Sequence, residues 1–339
     1  MDAFIQIFKS PQIRVIFRFF TTFALNNTAM LFELRQSSFG AYTRFDLVHE
    51  TSNTGFSMVP ERGATVLEIR FQGQNILDGY TSPEELEAAK WGKSAVLFPF
   101  PNRLDGGRYT WNGATYTFPI NNAATGNAIH GFARDHAFEV VQVQLEAARA
   151  SLHCRFCYGG EHAFYPFPLD LDLIFAIDLK GEFSLEVRCR NRHSAAIPVG
   201  FGWHPYFKLD KNADAHRLQL PAASMVAIND RMIPTGPLQA YGAFEKRSRL
   251  AETFLDNCFK TAAAKGPYRL ALAGRHGKVA VKASASDMPY FQVFTPPHRE
   301  SVALEPMSCN VNAFNNADGL VRLEPAKVWK ATMKIQYQR

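Results

Sequence analysis

The sequence predicts an all-β protein, a large single-domain β-sandwich with few short helices. Three observations carry this. From about residue 42 onward the dominant hydrophobic period is two. A tight-turn pair joins two aromatic strands. Only one helix is well signalled, and no composition break, linker or internal repeat divides the chain.

The alternation is clearest where Leu169, Leu171, Leu173, Phe175, Ile177 and Leu179 alternate with Asp170, Asp172 and Asp178. It resumes at Phe183, Leu185, Val187 and Cys189 against Ser184, Glu186, Arg188 and Arg190. Both runs read as half-buried strands. Residues paired across a hairpin share a face, so odd positions must meet odd ones. That requires an odd-length loop, such as Lys180-Gly181-Glu182 with Gly181 absorbing a bulge. A second hairpin places Tyr109 opposite Tyr116 around Asn112-Gly113, the pair that a two-residue type I′ turn prefers. Further strands are expected at Thr65–Phe71, Phe138–Leu145, Lys278–Ala283, Tyr290–Thr295, Ser301–Leu304 and Ala331–Tyr337. Ser82-Pro83-Glu84-Glu85 supplies an N-cap, a first-turn proline and a capping-box glutamate for a short helix to about Lys90.

Length and composition bound the rest. The 339 residues are 47% apolar and 20% charged, the balance of a globular protein with a sizeable core. The formal charge of +6 is spread out with no Lys/Arg-rich block, which argues against a nucleic-acid surface. Between Ala3 and Leu31 there is no acidic residue, and Lys9, Arg14 and Arg18 lie among six phenylalanines. Residues 1–35 therefore read as an N-terminal extension, disordered or a targeting segment, ahead of a domain spanning 42–339. Arg18 interrupts its only apolar run, which is too short to span a bilayer, so no membrane partner is expected. The odd set Cys154, Cys157, Cys189, Cys258 and Cys309 argues against a disulfide framework and for a reducing compartment. The expected location is cytoplasmic, with export by the N-terminal segment left open. Cys154 and Cys157 form a lone CxxC with no second pair to complete a zinc site, and no metal is expected.

Three polar, aromatic-rich segments break the alternation. They are Phe98 to Arg103 with Asn127 to Phe132, then Gly200 to Phe207, then Ala303 to Asn315. Taken singly, Arg103 reads as a surface ion-pair partner, His130 as a turn histidine and Glu305 as a solvated carboxylate at a strand end. His204 is held between Gly202 and Pro205, where a strand cannot simply continue. Gly92-Lys93-Ser94 looks like the end of a P-loop, but Glu87 stands where the required glycine belongs.

Taken together, the segments resemble the aldose 1-epimerase (galactose mutarotase) family. The matching stretches are Pro101-Asn102-Arg103 with Gly106-Gly107, Asn127-Ala-Ile-His130-Gly131-Phe132, Gly202-Trp203-His204-Pro205-Tyr206-Phe207, Leu255-Asp256 to Phe259, and Leu304-Glu305-Pro306, in the family's order from about residue 45 onward. The resemblance implies the large β-supersandwich fold, a monosaccharide substrate, no redox or nucleotide cofactor, and a chain acting as a monomer or homodimer. It implies His204 as acid and Glu305 as base, with Arg103, His130, Asp256 and Asn102 binding the sugar. In the best-known galactose mutarotases the glutamate is followed by Thr and soon by Gln. Pro306 and Met307 depart from that and leave the sugar open.

The chemistry suits these residue types. Mutarotation removes a proton from the anomeric hydroxyl, protonates the ring oxygen, and reverses both steps after rotation of the open aldehyde. A carboxylate and an imidazole can each return what they took. Trp203, Tyr206 or Phe207 would offer an apolar face to the ring. Competing readings are a glycoside hydrolase using Asp256 and Glu305 as a carboxylate pair, a phosphosugar mutarotase using Arg134, Lys208 or Arg217, and a non-catalytic carbohydrate-binding protein.

Overall fold

The computed structural model describes residues 31–339 and the backbone of Arg14–Phe17. The other residues of the expected N-terminal extension lie outside the described residues. Strands make up 50% of the described residues and helices 7%, far from the ~20–25% strand of an average domain. Three sheets account for most of this: ten strands, eight strands and five strands. The ten-stranded sheet forms one layer. It packs on the five-stranded sheet through Phe183 against Phe56 and Tyr337 against Phe71. It packs on the eight-stranded sheet through Phe183 against Trp203 and Tyr268 against Phe291.

The alternating runs are neighbours in the ten-stranded sheet, Leu169–Asp178 beside Glu182–Asn191. Odd meets odd, with Ile177 opposite Phe183. The loop is Leu179-Lys180-Gly181 rather than Lys180-Gly181-Glu182, because Glu182 already belongs to the second strand. Gly181 takes φ +88 there. Tyr109 stands opposite Tyr116 with their rings stacked, and Asn112 and Gly113 both adopt positive φ as a type I′ turn requires. The helix runs Pro83–Ala88 and ends in the left-handed residue Ala89. Ser82 Oγ accepts the Glu85 N–H at its start. Cys154 is buried and Cys157 exposed, as opposite faces of a strand require, and all five cysteines are free.

Two boundaries differ from the sequence reading. Pairing in the five-stranded sheet begins at Glu33, with Glu33–Phe39 against Tyr42–His49, upstream of residue 42. That strand is an edge strand, mostly exposed on both faces, so its sequence carries no alternation. The strand expected to stop at Leu304 continues as Val302–Met307, and all six residues are buried.

The loops feeding the cleft described below depend on a close approach at Gly131. Its φ is +62, and a Cβ built on it would stand 2.0 Å from the Phe98 carbonyl oxygen. We expect Gly131→Ala to cost at least about 2 kcal/mol, from left-handed strain plus a backbone clash. Urea denaturation monitored by tryptophan fluorescence would measure it, and a cost under about 0.5 kcal/mol would show that the loop accommodates a side chain.

Candidate active site

The strand Val302–Met307 organises the site. On one edge Glu305 lies opposite Gln292 of Tyr290–Phe294, and beyond that strand lies Asp256–Thr261, with Cys258 opposite Gln292. Asp256, two residues from Cys258, therefore shares a face with Gln292 and Glu305. On the other edge the partner is interrupted. Met307 pairs with Gly202 and Ala303 with Tyr206, and His204-Pro205 bridges the gap between them. The His204 backbone is pinned from outside, donating to the Ala95 carbonyl and accepting from the Ser94 N–H.

Glu305 Oε1 and His204 Nε2 are 3.3 Å apart. Glu305 is 1% exposed and His204 5%. The approach is close without hydrogen-bond alignment: Glu305 Oε1 and His204 Nδ1 are buried and have no hydrogen-bond partner among the described residues. The His204 ring lies flat on Tyr206, 4.7 Å between centroids, with His130 edge-on to it. The Tyr206 hydroxyl donates to the Trp91 carbonyl and fixes that stack.

The first segment closes the opposite wall. Arg103–Leu104 pairs with Ala128–Ile129, which brings Arg103 and His130 together despite their separation in sequence. Asn102 is the hub. Its N–H donates to His130 Nδ1, its Oδ1 accepts from the Arg103 backbone and guanidinium, and its Nδ2 donates to Gln292 Oε1. Gln292 in turn donates to Asp256 Oδ1 at 2.6 Å, and Arg103 Nη2 lies 3.8 Å from Asp256 Oδ2. Because His130 Nδ1 accepts a hydrogen bond, a neutral His130 carries its proton on Nε2. The third segment buttresses the first: the Asn312 N–H donates to the Arg103 carbonyl, and Asn312 Oδ1 accepts the Asp105 N–H.

Burial dominates the electrostatics. It raises the Glu305 carboxyl well above its ordinary range; Asp256 adds to this and Arg103 opposes it. It lowers His204 to about 3, with the Arg134 charge acting in the same direction. It lowers His130 too, helped by Arg134, His204 and Arg103, and raises Asp256 against the pull of Arg103 and Gln292.

All six sequence-derived candidates, Asn102, Arg103, His130, His204, Asp256 and Glu305, line one cleft of about 520 Å³. A groove of similar size, about 510 Å³, around Tyr80, Lys93 and His298 lacks such a buried carboxylate–imidazole pair. Among the described residues, no three His, Cys, Asp or Glu side chains cluster as a metal site would need.

The aldose 1-epimerase family profile matches residues 48–336. The chain belongs to the aldose 1-epimerase family. An uncharacterised Escherichia coli protein, YihR, is 30% identical over 284 residues, covering 82% of this chain and 88% of that one. A galactose mutarotase from Rattus norvegicus is 30% identical over 166 residues, 47% of this chain and 44% of that protein. Among solved structures, a galactose mutarotase-like protein from Clostridium acetobutylicum superposes with TM-score 0.80 at 19% identity, over 91% of this chain and 99% of that one. A galactose 1-epimerase from Lactobacillus acidophilus gives 0.76 at 14%, over 91% and 98%. These two structures establish the shared fold.

Sequence reasoning missed part of this epimerase-family cleft. Trp203 and Phe207 are fully buried in the core and offer no sugar platform. Of the three aromatics expected to face the ring, Tyr206 lines the cleft, and the apolar wall is completed by Trp91, Phe294 and Phe254, whose rings meet through Phe294. Phe254, 57% exposed, carried a signal only as an apolar residue in a polar loop. Gln292 sat inside an expected strand and gave none. Of the three basic residues weighed for a phosphosugar, Arg134 lines the cleft, Lys208 is half-buried and paired with Glu300, and Arg217 is exposed on a sheet strand.

The Gln292 bridge makes a measurable prediction. Gln292→Leu keeps the volume but strips the amide from Asn102 and Asp256 together. The expected loss is about 1–3 kcal/mol, read as a lower urea midpoint with unchanged slope. An unchanged midpoint would mean that neither partner depends on the bridge.

Proposed function

We propose that the chain is a mutarotase that interconverts the α and β anomers of an aldose, with Glu305 as general base and His204 as general acid. The observation that carries the reading is the buried carboxylate–imidazole approach of 3.3 Å in a cleft lined also by Arg103, His130, Asp256 and Asn102. Glu305 takes the proton of the anomeric hydroxyl, the bond from C1 to the ring oxygen breaks, and His204 Nε2 gives its proton to that oxygen. The aldehyde turns about C1–C2, and the steps reverse on its other face. Arg103, Asp256, Asn102 and the His130 Nε2–H hold the remaining hydroxyls. Asp256 is already engaged by Gln292 and Arg103, which suits a binding carboxylate better than the second carboxylate of a glycoside hydrolase.

The reactive pair carries one proton in total. In the buried site, the charged form with carboxylate and imidazolium is converted by ring opening into a neutral acid and a neutral imidazole. The shifts place that one proton on Glu305 in the free protein, so the carboxylate–imidazolium form that starts ring opening is the minor one. The desolvation that favours the neutral product also lowers the population of the form that reacts.

Glu305→Gln and His204→Asn should each lower kcat by about 10²–10⁴ with sugar affinity largely retained. The losses should not add in the double variant, since the two groups act in one event. Arg103→Ala should act mainly on KM. Exchange NMR on equilibrated anomers measures all four. Wild-type exchange by Glu305→Gln would remove Glu305 as base and leave a carbohydrate-binding protein as the reading.

The pH profile follows from the shifts. Below about 3 both groups hold protons; above that, the pair holds one until the raised pKa of Glu305 is passed, and then none. The profile of kcat/KM should therefore be bell-shaped, with the carboxyl setting its alkaline limb. A rate that stays flat with rising pH until the protein unfolds would eliminate the one-proton pair.

A further inference from the structure

The charges in the cleft do not cancel. Asp256 answers Arg103, and Glu305 answers His204. Arg134 also lines the cleft, with a side chain only 19% exposed. Its Nε is buried without a hydrogen-bond partner, and the one carboxylate within 4 Å among the described residues is Asp135, at 3.7 Å. Asp135 is already committed to Arg62 at 2.7 Å, so two guanidinium groups share one carboxylate. A cation removed from water is stabilised by a close, aligned anion, and Arg134 has none among the described residues.

The position of Arg134 indicates which part of a sugar it would meet. The ring oxygen is bonded to C5, and C5 carries the exocyclic C6. A group that protonates the ring oxygen therefore neighbours C6. Arg134 lies on the His204 side of the cleft. Its Nη1 stands 3.8 Å from where a Cβ on Gly92 would be, in the turn whose Ser94 and Ala95 hold the His204 backbone and whose Trp91 carbonyl accepts from Tyr206. Arg103 and Asp256 occupy the other wall with Gln292.

We propose that Arg134 reads an anionic substituent at C6 of the aldose, so that the preferred substrates are acidic sugars bearing a carboxylate, phosphate or sulfate ester there. This rests on the mutarotase reading and names its substrate class. A planar guanidinium offers two parallel N–H groups to any of these oxyanions.

The test is anomer-exchange NMR on the wild-type protein with D-glucose, D-galactose, D-glucuronate, D-glucose 6-phosphate and D-glucose 6-sulfate. At least one acidic sugar should exceed D-glucose in kcat/KM by about 10–100-fold, the worth of a buried charge-assisted hydrogen bond. The three acidic sugars distinguish carboxylate, phosphate and sulfate. Arg134→Gln should bring the ratio of acidic to neutral sugar towards one, mainly through KM, and Arg134→Lys should retain part of it. Equal or faster exchange of the neutral sugars by the wild type overturns the inference and leaves the mutarotase reading intact, whether or not either variant folds. A preference for the acidic sugar that survives in a folded Arg134→Gln protein overturns the assignment to Arg134. Exchange of no sugar in the panel overturns the mutarotase reading and this inference with it.

Discussion

A carboxyl group sits in the middle of a fully buried strand, and the site is arranged around that fact. Val302–Met307 is paired on both edges, so Glu305 is fixed in place by the backbones of its neighbours and not only by its own contacts. An isolated buried carboxylate is too costly to persist without compensation. The compensation is partial: Arg103 opposes the cost across the cleft, and the interrupted edge sets His204 beside Glu305, while Asp256, two strands away on the other edge, adds to it.

The same constraint explains the division of labour between the two walls. The groups proposed to bind the sugar are tied to one another: Asn102 holds Arg103, His130 and Gln292, and Gln292 holds Asp256. Groups that would transfer protons are left with free atoms, Oε1 of Glu305 and Nδ1 of His204. A fully satisfied network resists rearrangement, while an unsatisfied pair keeps its protons available. The interdependence of the binding wall also means that no one member of it can be altered without disturbing the next.

The sandwich was legible because its strands alternate strongly and its turns use residues that only turns favour. The run from Leu169 to Cys189 and the Asn112-Gly113 pair needed no tertiary information. Glu33–Phe39 was not legible, because an edge strand exposed on both faces obeys no period. The six candidate residues were found through the family resemblance of their motifs; their isolated chemistry favoured bland readings. For Glu305 the bland reading was a solvated strand end, suggested by Pro306. The structure shows why a proline is tolerated there: it lies where the neighbouring strand is broken at His204-Pro205. Gln292 and Trp91 could not be found from sequence, since a glutamine in a strand and a tryptophan after a helix acquire meaning only when the cleft closes over them.

The ten-stranded sheet has one further consequence. Val328–Gln338 lies between Glu182–Asn191 and Gly277–Ser284, so this late segment joins the two halves of that layer. Its partners are separated from it by about 55 residues on one side and about 145 on the other. During synthesis the layer behind Glu305 therefore remains in two pieces until Val328–Gln338 leaves the ribosome. Pairings of such high contact order form late and slowly. A ribosome stalled before residue 328 would hold a chain with every residue of the cleft already made and the sheet that supports them still divided.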